Sequence, residues 1–174
     1  MRIELENLEQ TGDAFEHTYQ PDELDLEEEH ARLTGPAEVR GRVSRSGQEV
    51  RLRGKIRAAA EVDCDRCLSP APVAVETAFD VGYIPVEAYT ASEAAELQEA
   101  DLSLSIFDGA TIDVDELVRE QVLLELPARA LCAEDCRGLC PACGSNRNTA
   151  PCSCQSTETD PRWAALEKLV NPES

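Results

Sequence analysis

The stretch VRLRGKIRAAAEVDCDRC, residues 50–67, is the part of this 174-residue chain that decides its fold. Apolar or small residues recur at every second position from Val50 to Val62, and mostly charged residues lie between them. This period of two predicts a strand with one buried face. The strand leads into Cys64-x-x-Cys67, a spacing that lets two thiolates hold one metal ion. The stretch therefore predicts a sheet strand with a metal-binding knuckle at its end.

The segments on either side extend this sheet. Valine alternates with arginine over residues 39–43, a glycine-containing turn follows at 44–47, and alternating apolar residues over 73–81 predict the next strand. Residues 3–5 predict a short first strand, residues 102–107 predict another, and residues 11–31 are expected to form a loop or a loosely packed acidic segment. Together these patterns indicate an antiparallel meander with one apolar and one polar face.

Two helices are expected after the sheet. Asp113 and Glu116 form a capping-box pattern before an apolar stripe, and Pro127 ends that helix. Asp160-Pro161 starts a second helix over residues 160–171. Residues 91–101 are an acidic low-complexity insert, either a linker or a short helix, and no internal repeat is visible.

These elements predict an α+β fold. Its antiparallel sheet is open or closes partly toward a small barrel, and it carries two helices and a cysteine-rich, zinc-stapled C-terminal segment. Residues 1–34 would form an N-terminal strand with the acidic segment. Residues 35–174 would form the main domain, including a zinc-binding segment at 132–154 and the helix at 160–171.

The cysteines indicate metal sites. Eight cysteines are two complete tetrahedral sets, which predicts two closed, structural Zn²⁺ sites. Two pairings are open: Cys140 and Cys143 share a metal either with the 152/154 pair or with the 132/136 pair, and Cys64 and Cys67 take the other pair. The expected ligands are Cys64, Cys67, Cys132, Cys136, Cys140, Cys143, Cys152 and Cys154.

Other uses of the cysteines are weaker. Disulfides are typical of secreted chains, whereas the acidic N-terminus lacks a signal-peptide pattern and no apolar run is long enough for a bilayer, so a cytoplasmic location without membrane contact is expected. A redox dithiol at Cys64 and Cys67 would leave six cysteines unexplained. The chain lacks a P-loop, GxGxxG and HExxH, which indicates a protein without catalytic activity. A zinc-based transcription regulator is disfavoured because the helix from Asp113 carries only Arg119 as a base.

Charge is distributed unevenly along the chain. The net charge of −19 disfavours general nucleic-acid binding, and residues 1–31 hold eleven acids against one arginine. Residues 32–57, in contrast, hold eight bases against two acids. Alternate positions of one strand face one side, so these bases form a strip suited to phosphate, or else pair internally with the acidic N-terminal segment. The candidate RNA contacts are Arg40, Arg42, Arg51, Arg53, Lys55 and Arg57.

Three motifs in order resemble those of the YceD family of large ribosomal RNA subunit accumulation proteins. The first is Val62-Asp63-Cys64-Asp65-Arg66-Cys67-Leu68, and the second is the helix with Glu116-Leu117-Val118 and Leu126-Pro127. The third is the run Cys136-Arg137-Gly138-Leu139-Cys140-Pro141-x-Cys143-Gly144-x-Asn146-x-Asn148, followed by Cys152-x-Cys154 and Asp160-Pro161-Arg162-Trp163. The resemblance covers roughly residues 35–170.

The resemblance implies a non-enzymatic factor in ribosome biogenesis that supports the accumulation or processing of large-subunit (23S) ribosomal RNA. Its partner would be that RNA or its precursor, a basic large-subunit ribosomal protein, or both. In one mechanism the basic strip docks on RNA while the acidic remainder limits non-specific binding. In the other, the acidic surface holds a basic ribosomal protein. The sequence does not decide the oligomeric state.

Overall fold

The computed structural model of the chain describes residues 1–5, 12–90, 104–107, 111–150, 152–154 and 162. The predicted insert at 91–101 and, apart from residue 162, the predicted helix at 160–171 lie outside these residues. The elements are β1 (Arg2–Glu4), β2 (Asp13–Tyr19), β3 (Ala31–Leu33), β4 (Ala37–Ser46), β5 (Glu49–Asp63), β6 (Pro70–Pro85), α1 (Val86–Thr90), β7 (Leu104–Phe107), β8 (Thr111–Asp113) and α2 (Val114–Glu125).

Six strands form the main sheet. Its order is β2-β4-β5-β6-β7, and β3 pairs with β5 beyond the end of β4. The longest pairing is antiparallel between β5 and β6, from Val50 opposite Tyr83 to Asp63 opposite Pro70. β7 runs parallel to β6, so the expectation of a purely antiparallel sheet was wrong at this edge. The remaining described strands, β1 and β8, form a separate two-stranded ladder.

Residues 11–31 differ from the predicted loop. Residues 13–19 form β2, which pairs with β4 from Asp13 opposite Val43 to Tyr19 opposite Ala37. After it, Leu24 and Leu26 are buried in the core. The acidic composition of the whole segment hid this short strand, in which Phe15 and Tyr19 alternate with the outward residues Ala14, Glu16 and Thr18.

Helix α2 has the predicted ends and apolar stripe, and of the predicted capping box the Asp113 cap is present. The side chain of Asp113 accepts a hydrogen bond from the backbone N–H of Asp115 (2.9 Å), which caps the first turn. The helix ends at Glu125, two residues before Pro127. Its four buried residues are those of the predicted apolar stripe: Val114, Leu117, Val118 and Val122. The short helix α1 was not predicted.

The inner face of the sheet packs with α2 in one core. One cross-strand row of this face reads Phe15, Gly41, Gly54 and Phe79. A Cβ on Gly41 or Gly54 would meet the neighbouring phenylalanine ring at 2.6 or 2.7 Å, so the two rings occupy the space above the glycines. The outer face is left polar, and the β5–β6 connection carries the first cysteine knuckle to the end of the sheet.

Among the residues that the structure describes, no helix has both the length and the apolar character needed to cross a bilayer.

Candidate metal centres and nucleic-acid interface

The eight cysteines gather into two groups of four, and within each group the sulfurs lie within 4.8 Å of one another. We call the first the stapling cluster, because it joins the β5–β6 connection to a segment more than 60 residues later. We call the second the terminal cluster. This is one of the two pairings that the sequence left open. The stapling cluster is Cys64, Cys67, Cys132 and Cys136, and the terminal cluster is Cys140, Cys143, Cys152 and Cys154.

The sulfur separations in the stapling cluster fit a metal centre. The Cys64 and Cys136 sulfurs lie 3.8 Å apart, and those of Cys67 and Cys132 lie 3.5 Å apart. A disulfide bond would need about 2.05 Å. Four sulfurs at about 2.3 Å from a tetrahedral zinc lie about 3.8 Å from one another. All eight cysteines are free thiols, so each cluster could hold a metal ion.

Each cluster starts from the same six-residue turn. In residues 64–69 the N–H of Cys64 donates to the carbonyl of Ser69 (2.9 Å), and the N–H of Leu68 donates to the carbonyl of Cys64 (2.9 Å). In residues 140–145 the corresponding bonds, Cys140 to Ser145 and Gly144 to Cys140, are both 2.8 Å. The fifth residue has a positive φ in both turns, 58° at Leu68 and 73° at Gly144. The knuckle is therefore a structural repeat.

Hydrogen bonds to sulfur favour thiolates in both knuckles. The pKa of Cys64 is lowered to about 6, first by the backbone N–H of Cys132, against the effect of burial. The pKa of Cys143 is also lowered to about 6, first by the hydroxyl of Ser145, whose oxygen lies 3.2 Å from the sulfur.

One further cysteine in each cluster has its pKa shifted in the opposite direction. The pKa values of Cys132 and Cys154 are each raised to about 12, first by side-chain hydrogen bonds to Cys67 and Cys143 respectively. Four ionised sulfurs in so small a space repel one another, and a divalent cation at the centre would relieve that repulsion.

The two clusters meet at Gly138. The N–H of Leu139 donates to the carbonyl of Arg66 (2.9 Å), and the N–H of Arg147 donates to the carbonyl of Gly138 (3.0 Å). Gly138 has φ +70°, and a Cβ there would lie 2.9 Å from the Arg66 carbonyl oxygen. Both the positive φ and the close approach of the Arg66 carbonyl therefore require glycine at position 138, where the two knuckles meet.

Side chains around the stapling cluster support its sulfurs. The Nδ2 of Asn148 donates to the Cys136 sulfur (3.3 Å), while its Oδ1 accepts from the N–H of Arg137 (2.8 Å). Arg66 donates through Nη1 to the carbonyl of Cys136 (2.8 Å). Such supporting bonds orient metal ligands and tune their affinity.

Burial separates the two clusters. Cys64, Cys67 and Cys136 are buried and form a small satellite core with Leu131 and Leu139. Only Cys140 is buried in the terminal cluster, whereas Cys143 and Cys154 are exposed.

The six basic residues of the predicted strip lie together on the outer face of β4 and β5, which pair directly. Most of them form ion pairs. Arg40 lies 3.1 Å from Glu16, and Arg57 lies 2.7 Å from Glu76. Asp80 joins Arg51 at 2.6 Å and Arg53 at 2.9 Å, which lowers the pKa of its carboxyl group. Internal pairing does occur, but it comes more from β6 than from the acidic N-terminal segment.

Two strip residues differ from the others. In the described part of the chain, neither Arg42 nor Lys55 has a carboxylate within ion-pair distance. Arg42 makes a long hydrogen bond to the carbonyl of Gly12 (3.4 Å). Arg40 lies directly opposite Lys55, and Arg42 lies opposite Arg53, so like charges adjoin at the centre of the face.

The sequence contained a signal for the repeated knuckle that composition alone did not reveal. Cysteine, cysteine and serine recur at positions 64, 67, 69 and at 140, 143, 145. Leucine at position 68 disguises the match, because glycine is the usual residue at a positive φ. Asn148 was visible only as a motif residue, and its bond to a sulfur depends on the folded loop.

Comparisons with known proteins place the chain among related sequences. The family model "Large ribosomal RNA subunit accumulation protein YceD" matches residues 52–170. An uncharacterized protein of Mycobacterium tuberculosis is 35% identical over 133 residues, which cover 76% of this chain and 61% of the relative. The chain thus spans about three fifths of the mycobacterial relatives that it matches.

Two further relatives come from other lineages. The uncharacterized protein YlbN of Bacillus subtilis is 26% identical over 96% of this chain and 93% of its own length. A Zea mays protein named "Large ribosomal RNA subunit accumulation protein YCED homolog 1, chloroplastic" is 29% identical over 75% of this chain and 52% of its own length. No solved structure matches the chain.

Proposed function

The chain belongs to the YceD family, and on that premise we propose that it is a ribosome biogenesis factor that supports the accumulation of large-subunit ribosomal RNA without catalysing a reaction. The observation that carries this proposal is the outer face of β4 and β5, where six basic side chains gather on a chain of net charge −19. Guanidinium groups bind phosphate through paired hydrogen bonds, so this face suits an RNA backbone.

The second part of the proposal is one structural Zn²⁺ in each cysteine cluster, with all eight cysteines as ligands. The sulfur separations and the lowered thiol pKa values support this assignment. A bound zinc ion would neutralise thiolates and hold the C-terminal segment against the sheet. Elemental analysis of the purified protein should find two zinc ions per chain, and a thiol reagent should find no reactive cysteine before denaturation. A reactive Cys64–Cys67 pair with one zinc ion or none would favour a thiol redox protein instead.

RNA binding by the strip can be tested at Arg42 and Lys55, which have no ion pair with the residues that the structure describes. The double variant Arg42→Glu/Lys55→Glu should weaken binding of in vitro transcribed large-subunit ribosomal RNA, because it reverses two charges without removing an ion pair. Glutamate at Arg51 or Arg53 is a poorer test, since it would also repel Asp80. A matched charge reversal at Arg45 and Arg129, which lie outside the strip and have no ion pair among the described residues, should leave affinity nearly unchanged. Equal affinities for both double variants would contradict the RNA contact.

A second candidate mechanism is that the chain holds a basic large-subunit ribosomal protein. A groove between β7 and α2 favours it, because the groove combines apolar side chains such as Ile106 with the carboxylates of Asp113, Glu116 and Glu120. Ile106 is 49% exposed on an edge strand of the described sheet. A basic extended peptide could lie along that edge.

A gentle pull-down of the tagged protein from its own cells compares these mechanisms directly. Enrichment of large-subunit RNA that survives removal of ribosomal proteins would favour RNA docking. Enrichment of one basic ribosomal protein after ribonuclease treatment would favour the groove. A preparation without ribosomal components would contradict both and would reopen the redox and transcription-regulator alternatives.

A further inference from the structure

Leu68 is held in a conformation that leucine rarely adopts. Its φ of +58° lies in the left-handed region, where a side chain other than glycine is destabilising. The matching residue of the second knuckle is Gly144, so the turn itself requires only a residue that tolerates positive φ. Strain of this kind often marks a functional position.

Burial does not account for the leucine. Its side chain is 62% exposed, and it is one of four large apolar residues that the described chain leaves so open to solvent. An exposed leucine in a strained turn contributes neither core packing nor favourable backbone geometry. It is therefore available to a partner.

Three arginines surround this knuckle where the clusters meet. The carbonyl of Arg66 accepts the N–H of Leu139, Gly138 accepts the N–H of Arg147, and Arg137 is bonded through its own N–H to Asn148. The Arg66 guanidinium is oriented by the carbonyl of Cys136 at 2.8 Å. All three arginines are exposed.

These arginines contrast with the strip on the sheet. Within the described residues, none of the three has a carboxylate within ion-pair distance. Residues 136–154 contain no aspartate or glutamate, although the chain as a whole has 35 acids. The nearby Glu134 and Asp135 are exposed, and neither forms an ion pair with any residue that the structure describes. The knuckle itself contains Asp65, whose Oδ2 accepts the N–H of Ala130 (2.9 Å). The surface around Gly138 therefore presents three exposed arginines beside few carboxylates, on a chain that is acidic as a whole.

We infer that Arg66, Leu68, Arg137 and Arg147 form a second RNA contact, in which the arginines bind phosphates and Leu68 packs against an unstacked base. This inference rests on the proposed function and names a site for it. Single-stranded loops of RNA present both groups together, and apolar wedges between bases are a known way of binding nucleic acid. The β5 strand carries the strip and ends at this knuckle, so one RNA could reach both surfaces.

A simpler role for the arginines is to balance charge on the thiolate clusters. The two roles differ in what the variant Arg137→Gln/Arg147→Gln would change. A balancing role predicts weaker zinc retention and unchanged RNA affinity. An RNA contact predicts two retained zinc ions and weaker RNA binding. The arginines are changed to glutamine, which keeps a polar side chain without adding negative charge.

The experiment uses the zinc-loaded full chain and in vitro transcribed large-subunit ribosomal RNA, titrated at several salt concentrations. The variant Arg137→Gln/Arg147→Gln should bind about ten-fold or more weakly, since a hydrogen bond to a charged group is worth about that much. The slope of log affinity against log salt should fall in magnitude by roughly 1.4 to 1.8, for two lost phosphate contacts. The control Arg2→Gln/Arg32→Gln removes the same charge elsewhere, together with the ion pairs to Asp113 and Glu61, and should change both quantities much less.

A second variant, Leu68→Gly, tests whether the leucine side chain contributes to RNA binding. Glycine relieves the positive φ, so the melting temperature should stay the same or rise, by up to about 4 °C. RNA affinity should nevertheless fall, which a purely structural leucine would not show. Leu124→Ala removes another exposed leucine and should leave RNA affinity unchanged.

The outcomes separate this inference from the proposed function. Wild-type protein that binds RNA while the arginine and Leu68 variants bind equally well overturns the inference and leaves the proposed function standing. Wild-type protein that does not bind RNA overturns the inference and the RNA-docking mechanism, whereas the ribosomal-protein mechanism of the proposed function is then decided by the pull-down. Loss of zinc from the arginine variant with unchanged RNA affinity supports charge balance and also overturns the inference.

Discussion

The two cysteine clusters share one knuckle but occupy opposite structural situations. The stapling cluster takes its cysteines from positions more than 60 residues apart and buries three of the four, whereas the terminal cluster is built from residues 140–154 and buries one. Long loops that are closed by a metal restrict the unfolded chain most. The comparison teaches that one metal site would hold the fold together while the other shapes only its own segment.

The largest expected difference comes from removing one ligand of each cluster. Cys136→Ser should release one zinc ion and lower the unfolding free energy by about 4 kcal/mol or more, because a structural zinc site contributes roughly 10–16 kcal/mol of binding energy to a small domain. Cys154→Ser should also release one zinc ion but change the unfolding of the sheet by less than about 0.5 kcal/mol. Zinc content with thermal unfolding followed by circular dichroism measures both effects.

Equal destabilisation by Cys136→Ser and Cys154→Ser would contradict the proposed difference between the two clusters. It would mean that the terminal cluster is coupled to the sheet, through the contacts at Gly138, as strongly as the stapling cluster is.

A smaller effect is expected from the side chain that supports the stapling cluster. Asn148→Ala removes the hydrogen bond to the Cys136 sulfur and leaves the N–H of Arg137 without its partner. Loss of such a supporting bond lowers metal affinity by about 10- to 100-fold. Competition with a zinc chelator should show this loss at one site of the two. Thr149→Ala is the control, since among the described residues that hydroxyl bonds to the carbonyl of Asn146 (3.3 Å) and to no sulfur.

If Asn148→Ala instead weakened both sites equally, the two clusters would act as one binuclear unit. Chelation would then proceed in a single step for the wild type as well.

The smallest expected effect comes from giving the second knuckle the residue of the first. Gly144→Leu places a branched side chain at φ +73°, which costs about 1–2 kcal/mol and should weaken zinc at the terminal cluster by roughly 5- to 30-fold. Nothing lies within 4 Å of a Cβ at this position, so the effect would be conformational and not steric. Ala142→Leu adds the same side chain to the same knuckle, at a residue without a positive φ, and should have little effect.

Full zinc affinity in Gly144→Leu would show that the turn accepts leucine without strain. The occurrence of leucine at position 68 would then lose its significance.

Local sequence patterns predicted the parts of the fold that depend on neighbouring residues. The alternation from Val50 to Val62 predicted β5, and its inward residues Leu52 and Ile56 are fully buried. Asp113 and Pro127 predicted the ends of α2. The same reasoning failed for β2. This strand has only seven residues and lies in an acidic segment, so its alternation is clear only once Phe15 and Tyr19 are seen to pack in the core.

What the sequence by itself determined was the kind of element at each position and the presence of eight metal-suited thiols. Periodicity, capping and turn chemistry act between residues a few positions apart, so they can be read along the chain. Only the tertiary structure decided which cysteines lie together and which bases of the strip pair with acids on β6. It also decided which arginines lie around Gly138 with no described carboxylate in ion-pair distance. These contacts join residues that are far apart in sequence, and the path of the chain through space brings them together.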